Sequence, residues 1–415
     1  MNNPSRTLLS AAALATFAAL CTWPGGDVQA QANPAYGKQD DARDVNKTMA
    51  LANAGDAQAQ YKLGWMYDLG KGVPKDGQQA MLWYGKAAAL GNTDAQFNLG
   101  RMYEVGRGIE KNEQLALDWY QKVAVQGMAD AQNNLGLMYL DGRGVAKDVQ
   151  VALGWLKKAA DQGYADAQFN LGWMYDRGQG VPKDGQQAML WYGKAAALGN
   201  TNAQFNLGRM YELGRGIEKN EQLALDWYQK VAVQGMADAQ TNLGLMYLDG
   251  RGVAKNVQMA LGWLKKAADQ GYANAQFNLG WMYDRGQGVP KDGQQAMLWY
   301  GKAAALGNAD AQFNLGRMYE LGRGIEKNEQ LALDWYQKAA VQGLADAQNN
   351  LGLMYLDGRG VAKDGQQAYF WVLLAAYRGD PSAKSNLATL EKTLTAAQKN
   401  KIEANVKAWK PVTQP

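Results

Sequence analysis

The 415-residue sequence contains no histidine and a single cysteine, Cys21. Without imidazole there is no Ser-His or Cys-His catalytic pair and no histidine metal site. Cys21 lies within the first thirty residues, so the chain beyond them has no disulfide and no thiol chemistry. Serine is scarce as well. Past residue 30 only Ser382 and Ser385 remain, and no serine has the S-x-x-K setting of lactam chemistry. No sign of charge dominates: 43 Lys and Arg face 39 Asp and Glu, for a net +4. That balance excludes the concentrated basic face of a dedicated nucleic-acid binder.

Long apolar runs are missing too. Leu8 to Leu20 is an apolar run of 13 residues, too short to span a bilayer. Arg6 precedes it, Pro24-Gly25-Gly26 breaks it, and Val28-Gln29-Ala30 offers a small-residue cleavage site. Residues 1–30 therefore read as a secretory signal peptide cut near Ala30. A lipid anchor at Cys21 asks for a small residue before it, and Leu20 is not small. The expectation is an exported chain, periplasmic or secreted, with no transmembrane segment once matured.

What is present is a period. Leu-Gly followed by x-Met-Tyr places glycine at 64, 100, 136, 172, 208, 244, 280, 316 and 352, always 36 residues apart. Tryptophan keeps the same interval from Trp83 to Trp371, so there are nine repeats. A coarser period of 108 overlies the first. VPKDGQQAMLWYGKAAALGN begins at Val73, at Val181 and at Val289 without a change. A block of three repeat types has been copied, with few later changes such as Thr201 against Ala309 and Met236 against Leu344.

Each repeat reads as two helices. Ala95, Leu99, Met102 and Tyr103 fall on one helical face, and Gly106 and Gly108 stop the helix. Asp76 caps the second helix, with Gln79 placed for a capping box and Lys86 in its last turns. Asn112, Asn220 and Asn328 replace that cap in the second repeat type. Trp83 and its eight equivalents are expected in the core, as is the bare Cα of Gly64 and its equivalents. Two short alanine-rich helices bury too little to offset the ordering of 36 residues. Each hairpin must lean on its neighbours, which predicts an all-α solenoid. Residues 31–55 read as an N-terminal capping helix, 56–379 as the nine repeats, and 380–415 as a C-terminal helical cap with a capping box at Thr395 and Gln398.

The pattern A-Q-x-x-L-G-x-M-Y-x-x-G-x-G-V-x-K-D, then A-x-x-W-Y-x-K-A-A-x-x-G, is similar to the Sel-one-like repeat, a relative of the tetratricopeptide repeat. The resemblance implies a right-handed superhelical α-solenoid used for protein–protein interaction, with its first helices lining a concave side. Exported bacterial members resemble scaffolds, adaptors and host-interaction factors. A cysteine-rich branch is tied to β-lactam binding, and those cysteines are missing here.

On the helical wheel the first helix of each repeat turns a second face away from the core stripe. The first repeat type presents Tyr61 and Trp65, then Phe169 and Trp173, then Phe277 and Trp281, each with an acid (Asp68, Asp176, Asp284). The second presents Phe97 and Arg101, Phe205 and Arg209, and Phe313 and Arg317, with Glu104, Glu212 and Glu320. The third presents Leu137, Leu245 and Leu353. Trp and Arg are enriched at binding hot spots, so this face is the candidate partner groove. An equal alternative is that these side chains only pack the groove wall. No cofactor and no metal ligand set is expected. Two partner classes fit: a protein or peptide, or an envelope polysaccharide stacked on the aromatic rings. A hydrolase would need a carboxylate pair such as Glu110 and Glu113, whose triplication on one solenoid fits capping better than catalysis. The loop arginines 107, 143, 215, 251, 323 and 359 read as a solvated rim, and the Gly-x-Gly loops around them as helix stops rather than phosphate cradles.

Overall fold

The structure, a computed structural model, describes residues 42–412. The expected signal segment, its cleavage site near Ala30 and the chain up to residue 41 lie outside the described residues. Among the described residues there are 21 α-helices, one short 3-10 turn and no strand. They divide into two compact units, 42–227 and 228–412, and the division falls inside the helix Glu221–Ala232.

In the unit 42–227 a lone helix, Ala42–Asn53, precedes the hairpins. The first hairpin pairs Ala57–Leu69 with Gly77–Ala89. The Asp56 carboxylate accepts from the Ala59 N–H at 2.6 Å and starts the first helix. Gly70, at φ 72°, ends it by donating its N–H to the Met66 carbonyl. Glycine reaches that left-handed conformation without the clash a Cβ would bring. The Asp76 N–H then donates to the Tyr67 carbonyl at 2.9 Å and closes the loop. Its carboxylate accepts from Gln78 and Gln79 N–H and opens the second helix.

The core lies between hairpins as much as inside them. Ala80, Tyr84, Ala87 and Ala88 of one second helix pack with Ala95, Leu99 and Met102 of the next first helix, all buried. Clusters of this kind recur one hairpin after another, which is how an isolated hairpin's deficit in burial is met. The third-type hairpin 129–164 meets the next through Leu140, Ala152, Leu156, Leu171, Met174 and Trp191.

The unit 228–412 repeats the scheme. Its hairpin 237–272 meets the next through Leu248, Ala260, Leu264, Leu279, Met282 and Trp299, the same residues 108 positions later. At its C-terminal end Asp380 caps the helix Pro381–Leu390, with proline at the first position. The final helix Ala396–Ala408 starts from a reciprocal capping box at Thr395 and Gln398. Leu390, Ile402 and Val406 are buried in the core of the last repeat.

One expectation is corrected. Trp83, Trp191, Trp299 and Trp371 are buried, but Trp119, Trp155, Trp227, Trp263 and Trp335 are only half-buried. The fully buried ring is the tyrosine one residue later in the first two repeat types, as at Tyr84 and Tyr120. The tryptophan sits at the edge of the stripe, where a lysine one turn on covers it. Lys86 Nζ lies 3.8 Å from the Trp83 ring centroid and Lys122 Nζ 5.0 Å from that of Trp119.

A polar residue that the periodicity does not single out also belongs to the core. Each repeat buries the glutamine of its Ala-Gln pair. Its side-chain amide donates to the carbonyl eight residues back, at the end of the preceding helix, as in Gln96 to Ala88 at 3.1 Å and Gln312 to Ala304 at 3.2 Å. The last carbonyls of a helix have no partner within it, and the glutamine supplies one.

Candidate functional site

The first helices carry the candidate face; each ends at a glycine stop, and those that begin after Asp56, Asn92, Asn200 and Asn308 are also opened by a side-chain cap. Tyr61, Trp65, Phe97, Arg101, Phe169, Trp173, Arg209, Leu245, Phe277, Trp281, Phe313, Arg317 and Leu353 are all half-buried. Leu137 and Phe205 are buried, each 8% exposed, and leave the least surface to a partner.

The tryptophans of this face bridge successive hairpins. Trp65 packs on the cluster of Leu63 and Met66 and on that of Leu99 and Met102. Trp173 and Trp281 do the same at their own positions. The phenylalanines rest on the buried tyrosines beneath them. The Phe97 and Tyr120 ring centroids are 5.6 Å apart, and those of Phe169 and Tyr192 are 5.7 Å apart, both tilted. Wall packing is thus present at each of these aromatics, and the part of each ring that remains open is fixed in place by it.

Three acids of the same face, Glu104, Glu320 and Asp68, are engaged. Tyr120 donates its hydroxyl to Glu104 Oε2 at 2.6 Å, and the Arg143 guanidinium donates to Glu104 Oε1. Tyr120, Glu104 and Arg143 belong to two successive repeats, so the triad ties one to the next. Tyr336, Glu320 and Arg359 form the equivalent triad. Asp68 is buried and pairs with Arg107 at 3.3 Å. Three loop arginines expected as a solvated rim are therefore joints: their loops fold back onto the preceding repeat and bring each guanidinium to an acid. Sequence reasoning missed this because the partners are 39 residues apart, a separation that no helical period flags.

Burial, more than any charge, pushes the Tyr120 hydroxyl well above its ordinary range, and the neighbouring Glu104 carboxylate adds to it. Tyr84 and Tyr192 are raised for the same first reason, with Asp68 and Asp176 contributing. These phenols are structural donors. Glu113 is held below the usual carboxylate range, chiefly by the hydrogen bond from Lys111 at 2.7 Å. A carboxylate so held is a poor proton donor, which suits Glu113 badly to the general-acid role of glycoside hydrolysis. No group of three His, Cys, Asp or Glu with metal-ligand geometry occurs among the described residues.

Comparison with known proteins supplies the remaining context. The Sel1 repeat family matches nine consecutive segments, from 57–92 to 345–380. A protective antigen of uropathogenic Escherichia coli with an SLR fold is 33% identical, covering 88% of this chain and 94% of its own, at a TM-score of 0.52. A Sel1 repeat protein from Oxalobacter formigenes is 35% identical, covering 75% of this chain and 90% of its own, at a TM-score of 0.60. Among curated proteins there is no match.

Proposed function

The chain belongs to the Sel1 repeat family, whose α-solenoids generally serve as protein–protein interaction scaffolds, and from that premise we propose that it is an exported, non-enzymatic adaptor. Its protein or peptide partner lies along the outward face of the first helices.

One observation carries the reading. Trp65, Trp173 and Trp281 occupy the same place in each three-repeat block, with part of the ring packed on two hairpins and part left open. A ring already fixed by packing has little rotamer freedom left to lose when a partner arrives. Large, pre-ordered tryptophans flanked by arginine are the usual anchors of protein interfaces. The arginines here are Arg101, Arg209 and Arg317, one repeat further on.

The test is capture from envelope extracts by the protein and by a variant with Trp65, Trp173 and Trp281 each changed to leucine. Leucine is the residue that Leu137, Leu245 and Leu353 already place at this register, so the fold tolerates it. The expected result is loss of the captured protein with helical circular dichroism and urea midpoint retained. Undiminished capture sinks the site. Capture that survives protease treatment of the extract but not glycan digestion replaces a protein partner with a polysaccharide. Export is checked separately, by the N-terminal mass of the protein recovered from outside the cytoplasm, which should begin near Gln31.

A further inference from the structure

One loop cluster in the unit 228–412 gathers cations, and it differs from its first-block counterpart, where Leu69 stands at the position of Arg285. A cleft of about 520 Å³ is lined by Asp284, Arg285, Lys291, Gly293, Arg323 and Gly324. Arg323 has the loop position of Arg107, Arg143 and Arg359, each of which is paired with an acid. Among the described residues Arg323 makes no ion pair, and neither does Arg285 or Lys291. Three exposed cations therefore line one cleft against a single carboxylate, a local excess of positive charge that attracts an anion.

The backbone adds donors. Gly293 is the first residue of the helix Gly293–Ala305. The Asp292 cap takes the N–H groups of Gln294 and Gln295 and leaves that of Gly293 unused. A Cβ on Gly293 would lie 2.7 Å from the Gly324 Cα, so the two loops touch backbone to backbone and form the floor of the cleft. Its volume lies in the range of small-ligand pockets. A guanidinium supplies a planar fork of donors, and an ammonium a point charge, both suited to tetrahedral oxyanions.

We infer that this cleft binds a phosphate or sulfate group carried on a small molecule or polymer, with Arg285, Lys291 and Arg323 as its ligands. The site shares only Asp284 with the outward face of the first helices and does not depend on the reading given for that face. The chain itself supplies suitable substitutions. Position 69, one repeat block before 177 and two before 285, is leucine, and the loops at 179 and 287 carry glutamine where 323 carries arginine.

Calorimetric titration of the full chain at constant ionic strength, with inorganic phosphate and with a sugar phosphate, tests the inference. Arg177, Lys183 and Arg215 repeat these residue types one block earlier, so each change is made in both copies. The variants are R177L with R285L, and R215Q with R323Q, with Lys157→Gln as an exposed-cation control. Saturable binding is expected, weakened about tenfold or more by either pair, as for loss of one charge-assisted contact, and unchanged by the control. Tighter binding of the sugar phosphate assigns the group to a carrier, and equal binding assigns it to the free ion. Absence of saturation, equal binding by all variants, or an equal loss in the control overturns the site. Unchanged melting midpoints in the variants exclude unfolding as the cause.

Discussion

A Cβ on Gly172 would fall 2.6 Å from Cδ1 of Tyr192, a ring that is 1% exposed. Gly64 stands in the same relation to Tyr84 and Gly280 to Tyr300. The missing side chain is what lets the two helices of a hairpin close on a full-sized ring. G172A is expected to destabilise by roughly 1–3 kcal/mol through overpacking, despite alanine's better helix propensity. The second-helix glycine Gly193 has nothing within 4 Å of its would-be Cβ. G193A is therefore expected to stabilise, by roughly 0.5–1 kcal/mol. Urea unfolding of the two variants should move in opposite directions, and equal shifts would contradict the packing account.

Gln312 is 2% exposed and serves two partners. Its amide donates to the Ala304 carbonyl, and its Oε1 accepts from Gln342 at 2.8 Å. Gln312→Leu keeps volume but strands a helix-end carbonyl and a side-chain amide. A loss of roughly 1–3 kcal/mol is expected, read as a lower urea midpoint at unchanged slope. A neutral result would mean that water replaces the glutamine.

Glu104 joins Tyr120 to Arg143 across two repeats. E104A removes the acceptor from both and should cost roughly 2 kcal/mol. E104Q leaves an acceptor for the tyrosine and should cost less. Because Arg143 is about a third exposed, the difference between the two variants should shrink as salt is added. A difference that is independent of salt would argue against an ionic joint.

Burial raises the Asp310 carboxyl above its ordinary range. Its folded pKa then exceeds its unfolded one, so the native state is penalised once the group ionises. Stability falls as pH rises from the unfolded value, about 3.9, through the raised folded value, and the penalty is complete above that. Asn202 occupies this position in the preceding block. Asp310→Asn should raise the melting midpoint at pH 7, with the gain vanishing at pH values below both pKa values. A gain that persists in acid would assign the effect to something other than charge.

The helices, caps and glycine stops were legible in the sequence because each follows from residues a few positions apart. Asp76, Asn112 and Gly106 act where the pattern puts them. The burial of Trp119 and Trp155 was overestimated, since periodicity gives the direction of a side chain but not how far the stripe reaches. Tyr120, a single position further round, fills the centre instead. The joints were illegible for a different reason. Glu104 lies on a helix face turned from the core stripe and Arg143 in a loop, and they meet only when one hairpin is set on the next. The glutamines left a weak mark: a polar residue kept in the apolar stripe of all nine repeats.

The contact that Leu140, Leu156, Met174 and Trp191 build is rebuilt by Leu248, Leu264, Met282 and Trp299. Residues 129–200 and 237–308 differ only at Asn133/Thr241, Asp148/Asn256, Val151/Met259 and Asp166/Asn274, none of which enters those apolar clusters. Such couplings are interchangeable parts. A shortened descendant lacking residues 165–272 would set old surfaces against old surfaces and need no fresh complementarity. Length, for this molecule, is a quantity that unequal recombination can add or remove by the block while every seam stays familiar.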